Sequence, residues 1–100
     1  MTFRIERSSK AREDLLAIWL GIAIHDPDAA DRQLRRIEQA IRGLADFPRI
    51  GPIRDDLGPG IRAVLRVPHL IFYTVEDADE AIRIIRVIDA RRDLEAVFQL

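Results

Sequence analysis

The chain has 100 residues, a length that supports one hydrophobic core and buries roughly two thirds of the surface of the unfolded chain. Net charge is -1 with 33% charged residues, so no global basic field gathers nucleic acid and any recognition must be local. Cysteine is absent, which excludes disulfides, thiolate nucleophiles and thiolate metal sites.

The N-terminal TFRIER alternates apolar Phe3 and Ile5 with polar neighbours, the period-two pattern of a half-buried strand. Ser8 or Ser9 then offers a cap for a helix. In that helix Ala11, Leu15, Ile18 and Ile22 make a stripe at helical spacing, while Leu16, Trp19, Leu20, Ala23 and Ile24 fill further faces. One sheet face cannot bury so wide an apolar surface. The longest apolar run, Leu15 to Ile24, is about half of what a bilayer span needs, and MTFRIERSS lacks a signal peptide's apolar segment. The expectation is a soluble cytoplasmic protein without a membrane partner.

Asp26 followed by Pro27 is a cap and first-turn proline. The helix it opens carries a narrow stripe of Ala30, Leu34, Ile37, Ile41 and Leu44, with arginines on its other faces. FPRIGPIRDDLGPG, Phe47 to Gly60, is rich in proline and glycine and reads as a connecting loop. IRAVLRV, LIFYTV and AIRIIRVI are three strands joined by two short turns, an antiparallel meander. RRDLEAVF suggests a short terminal helix with Asp93 near its start. The fold class is therefore α+β: a single β-α-α-β-β-β domain over residues 1–100, a helical hairpin packed on an antiparallel sheet, with a short C-terminal helix.

The basic residues are fifteen arginines and one lysine, Lys10. Arginine binds anions in a fork but is a poor proton shuttle. By strand alternation Ile82, Ile84, Arg86 and Ile88 share one face, and Arg83, Ile85 and Val87 the other. Arg86 among isoleucines is expected either to pair with Asp89, Asp93 or Glu95, or to join Arg62 and Arg66 in a positive patch. Tyr73 reads as a core tyrosine with its hydroxyl at the rim. His25 and His69 are single, at a helix end and a turn, so neither a metal site nor a cofactor is expected. No glycine-rich phosphate loop follows a strand.

The series A-x-x-DLLAIW (Ala11 to Trp19), AADRQLRRIEQAIRGLADFPRIGPIRDDL (Ala29 to Leu57), GIRAV (Gly60 to Val64), HLIFYTVED (His69 to Asp77) and IRVIDARRDLEAVF (Ile85 to Phe98) resembles the ParE branch of the RelE/ParE toxin superfamily, almost throughout and in order. The resemblance implies a toxin of a type II toxin-antitoxin pair of the plasmid-stabilisation kind, neutralised by a ParD-like antitoxin in a hetero-oligomer. ParE-type members poison DNA gyrase, whereas RelE-type members cut messenger RNA on the ribosome. RNA cleavage by the 2'-hydroxyl route needs proton transfer at both oxygens and stabilisation of phosphate charge. RelE-type toxins resemble that recipe through sheet lysines and a terminal tyrosine. Here Lys10 lies in the first helix and the apolar tail position is Phe98, which lacks a hydroxyl, and this favours a gyrase poison without its own catalytic centre over a ribonuclease. A degenerate toxin retaining only antitoxin binding is the third reading. One departure is Asp89, where many relatives read histidine. The expected target contacts are Arg62, Arg86, Arg91 and Arg92. The excess apolar face, Leu16, Trp19, Leu20 and Ala23, is expected to receive the antitoxin.

Overall fold

The computed structural model describes residues 2–99. Strand β1 (Arg4–Arg7) leads into helix α1 (Ser9–Ala23), and helix α2 (Pro27–Leu44) returns antiparallel to it. Strands β2 (Arg62–Arg66), β3 (His69–Glu76) and β4 (Ala81–Asp89) follow, then helix α3 (Leu94–Phe98). Both long helices begin where the caps predict. Ser8 Oγ accepts from the Ala11 amide at 3.0 Å and Asp26 Oδ1 from the Ala29 amide at 3.1 Å, so each occupies one otherwise orphaned donor.

The sheet order is β1-β4-β3-β2. The last three strands form the expected antiparallel meander. At the edge the pairing differs: β1 lies parallel to β4, so the sheet is mixed rather than antiparallel throughout. A parallel neighbour needs a crossover, and the α1-α2 hairpin supplies it.

The hairpin covers one sheet face. Ala11, Leu15, Ile37, Ile41 and Leu44 meet Ile71, Tyr73, Ile82, Ile84 and Val87 there. The opposite face is also covered, by α3 and the loop before β2: Leu57, Ile61, Phe72 and Ile88 pack with Leu94, Val97 and Phe98. The Phe72 and Phe98 rings meet edge to face at 5.0 Å between centroids.

The strand parity expected for β4 fails in its middle. Phe72 pairs with Arg86 while its neighbour Tyr73 pairs with Ile84, so Ile85 is an extra residue, a β-bulge. Beyond it the alternation is reset. Ile82, Ile84 and Val87 share the hairpin face, and Ile85 and Ile88 the other. Ser8 helps fix the bulge: its amide donates to Ile84 O at 2.9 Å and its hydroxyl to Ile85 O at 2.8 Å. One residue thus caps α1 and holds the irregular point of β4.

Candidate functional site

Arg86 lies directly after the bulge and pairs with α1. Its guanidinium grips the Asp14 carboxylate of α1 in a fork, Nε to Oδ2 at 2.8 Å and Nη2 to Oδ1 at 3.0 Å. Asp14 Oδ2 also accepts from the Val87 amide at 2.9 Å. The two side chains are 19% and 12% exposed, so the pair is screened from water and ties α1 to β4. The fork raises the Arg86 pKa further above its ordinary value. The partner is therefore not Asp89, Asp93 or Glu95 as the sequence suggests. Asp14 lies 72 residues away, and no local pattern marks it.

Arg62 is likewise engaged within the fold. Its Nη1 donates to the carbonyls of Gly51, at 2.8 Å, and Arg49, at 3.3 Å. The Gly51 amide donates in turn to Tyr73 Oη at 2.9 Å. The Tyr73 hydroxyl is thus wholly buried rather than at the rim, and burial raises its pKa. Both backbone groups of Gly51 are held, so the Phe47-to-Gly51 loop is fixed against the sheet. A Cβ at Gly51 would lie 2.8 Å from both Ala63 O and Tyr73 Oη. Gly51→Ala is expected to cost about 1–3 kcal/mol by overpacking, and Tyr73→Phe about 1 kcal/mol through the lost acceptor. Denaturant midpoints at unchanged slope check both.

Arg66 donates to Leu65 O at 2.8 Å. Arg62, Arg66 and Arg86 therefore do not form one positive patch: each binds a different partner. Arg91 and Arg92 lie beyond β4 and are exposed. Arg91 forks onto Asp89 at 2.9 and 2.6 Å. The fork, with the Arg91 amide bond, holds the Asp89 carboxyl well below the usual range. An exchangeable surface pair of this kind contributes little stability and leaves the guanidinium available. Arg92 donates its amide to Asp89 O at 3.0 Å and lines a shallow pocket with Asp14, His69 and Asp89.

Of Lys10, Tyr73 and the two histidines, His69 borders this pocket and the others lie away from it. Lys10 is exposed in the first turn of α1. His69, which sequence reading placed in a turn, is the first residue of β3 and is buried. No cluster of three or more His, Asp or Glu among the described residues is placed to hold a metal ion. No helix among them is long and apolar enough to cross a membrane.

Of the four residues in the apolar excess of α1, Leu16 and Leu20 face out. Leu16 is 61% and Leu20 49% exposed, and Ile24, one turn further along the same line, 76%. Trp19 and Ala23 are half-buried beside them. Trp19 Nε1 donates to Asp31 Oδ1 of α2 at 2.9 Å, which turns the indole toward the hairpin seam. On α2, Arg32 and Arg35 are exposed and form no salt bridge among the described residues. The two helices are joined at this point by the Trp19–Asp31 hydrogen bond.

A second apolar groove, of about 290 Å³, runs between α2 and β2 and is lined by Ala40, Leu44, Phe47, Ile50, Val64 and Leu65. Phe47, Ile50 and Leu65 are 66%, 67% and 50% exposed. The proline and glycine of the Phe47-to-Gly60 segment mark a connector and give no sign of the groove.

A family model described as "ParE toxin of type II toxin-antitoxin system, parDE" matches residues 5–94. Toxin ParE3 of Caulobacter vibrioides is 39% identical over 67 residues, 67% of this chain and 65% of that protein. The match thus spans just under two thirds of that relative's length. Toxin ParE1 of Mycobacterium tuberculosis is 35% identical over 68 residues, 68% of each chain. Among solved structures, a chain of the chromosomal ParDE system of P. aeruginosa superposes with a TM-score of 0.74 at 23% identity, covering 88% of this chain and 96% of that one. A chain of the intact E. coli RelBE toxin-antitoxin complex gives 0.66 at 17% identity, covering 90% and 99%. At these identities the structures show the shared fold.

Proposed function

Because the chain belongs to the ParE toxin family of type II toxin-antitoxin systems, we propose that it acts on DNA gyrase by binding rather than by chemistry of its own, and that a ParD-like antitoxin neutralises it. The observation that carries the antitoxin half is the exposed line of Leu16, Leu20 and Ile24 on α1. Three large apolar side chains one helical turn apart match the contact pattern of an amphipathic helix. Trp19 and Ala23 extend the strip toward the hairpin seam, and the unpaired Arg32 and Arg35 suit acidic residues along the flank of the incoming helix.

The target half rests on how the reactive groups are employed. Arg62 and Arg86 are engaged in holding a loop and a strand. Arg91 and Arg92 then stand as the arginines at a free surface near the C-terminal end, and they are the proposed contacts with gyrase. A cleavage centre would need a free proton acceptor and donor beside them, whereas the neighbouring Asp89 is held by Arg91, Asp14 by Arg86, and buried His69 is bonded to Gln33. The Tyr73 hydroxyl is buried against Gly51 and Phe98 packs on Phe72.

Purified gyrase is expected to lose supercoiling activity when this protein is added, and to regain it with antitoxin. Messenger RNA in a translating extract is expected to stay intact. Codon-spaced cleavage with undisturbed supercoiling would establish the ribonuclease reading instead. Tight antitoxin binding with neither effect would identify a toxin that has kept only its partner surface.

A further inference from the structure

We infer that His69 is a proton-sensitive latch: neutral, it holds the turn between β2 and β3 against α2, and protonation in mild acid releases that turn. The latch lies away from the α1 strip proposed for the antitoxin and borders the proposed gyrase contacts, since Arg92 shares its pocket. His69 and Gln33 are the buried polar side chains of the core, 6% and 8% exposed. Gln33 Nε2 lies 3.0 Å from His69 Nδ1, 3.2 Å from Arg66 O and 3.3 Å from Val67 O. Arg36 Nη1 donates to Gln33 Oε1 at 2.9 Å and to Val67 O at 3.2 Å.

These contacts fix the proton positions by elimination. A guanidinium only donates, so the atom facing Arg36 must be the amide oxygen. The atom facing the histidine and the two turn carbonyls is then the amide nitrogen, which also only donates. His69 Nδ1 must accept, so the ring is neutral with its proton on Nε2. Adding a proton at Nδ1 sets donor against donor. Flipping the amide gives no relief, because its nitrogen would then face Arg36, Arg66 O would lose the amide donor and Val67 O would keep only Arg36. A buried network with one broken member destabilises the rest.

The surroundings decide where the ring titrates. Burial favours the neutral form and lowers the pKa from its ordinary 6.5. Asp89, opposite His69 on β4, favours the cation, and Arg91 opposes it. Arg66 faces it across the pairing on β2, Arg36 approaches from α2, and Asp14 and Arg92 share its pocket. A ring whose neutral form the fold prefers contributes stability above its unfolded pKa, and that contribution is lost as pH falls through the lower folded value. The turn carries exposed Val67 and adjoins exposed Leu65 near the end of β2, so release loosens the β2 wall of the groove beside α2.

The test is a pH titration of the imidazole nitrogens by NMR in the full chain, with amide exchange followed in parallel. The latch predicts an Nε2–H tautomer at neutral pH and a midpoint below 6.5. Amides from Leu65 to Leu70 should lose about tenfold of their protection as pH passes that midpoint, while the β3-β4 ladder beyond them keeps its own. In Gln33→Glu a carboxylate faces Nδ1, so the midpoint should rise above that of the native chain, while the turn carbonyls lose the amide donor and the turn should be less protected than in the native chain already at neutral pH. An Nδ1–H tautomer, a midpoint at or above the ordinary value, or turn protection indifferent to the titration would overturn the latch. So would Gln33→Glu leaving the midpoint unmoved. If that variant does not fold, the tautomer and exchange data of the native chain decide alone.

Discussion

Asp14→Ala is expected to lower the melting temperature by roughly 10–25 °C, the largest stability loss among the polar substitutions considered. The carboxylate serves three donors: two on Arg86 and the amide of Val87. Its removal leaves a nearly buried guanidinium without a counter-charge and a strand amide without an acceptor. Breaking one side of such a pair costs about 2–4 kcal/mol, and each kcal/mol moves the midpoint of a domain of this size by about 4–8 °C. Arg86→Met should be milder. Its stem volume is kept, and Asp14 retains the Val87 amide. A stable Arg86→Met protein that no longer inhibits gyrase would instead make Arg86 a target contact. Calorimetry on both variants beside a supercoiling assay separates the two roles.

Leu16→Asp combined with Leu20→Asp is expected to weaken antitoxin binding by about a thousandfold while leaving the fold intact. Central apolar anchors of a helix-in-groove contact are each worth about 2 kcal/mol or more, and every 1.4 kcal/mol is about tenfold in affinity. A carboxylate in their place must also be desolvated. Both side chains are about half exposed or more in the free chain, so the substitutions leave little cavity behind. Titration calorimetry against the antitoxin reads the affinity and a thermal melt reads the fold. Unchanged affinity would move the partner to another surface, with the groove beside Phe47 and Ile50 as the next candidate.

The elements were legible in the sequence because each carries a local signal. Ser8 and Asp26-Pro27 mark helix starts, the Ala30-to-Leu44 stripe marks a buried helix face, and the glycine and proline between Phe47 and Gly60 mark a loop. The exposed strip of α1 was legible too, since an apolar run wider than one interface must face outward somewhere. What sequence could not supply is long-range and single-residue. The bulge at Ile85 inserts one residue into an alternating run whose composition is uniformly apolar, so nothing local announces the change of parity. The parallel pairing of β1 depends on where the hairpin returns the chain. The partners of Arg62 and Arg86 lie 11 and 72 residues away. Gln33 and His69 were missed for the same reason. A glutamine in a helix and a histidine after a proline are unremarkable apart, and become a network only once α2 lies across the β2-β3 turn.

Two arginines are committed to the fold and two remain at the surface, which gives the binding account its most direct test. Gyrase supercoiling should be measured against native protein, an Arg91→Glu, Arg92→Glu double variant, and native protein preincubated with antitoxin. The account predicts inhibition by the native chain, loss of most of it in the double variant at unchanged melting temperature, and full relief by antitoxin. Supercoiling that proceeds undisturbed at a large excess of well-folded native protein would contradict it.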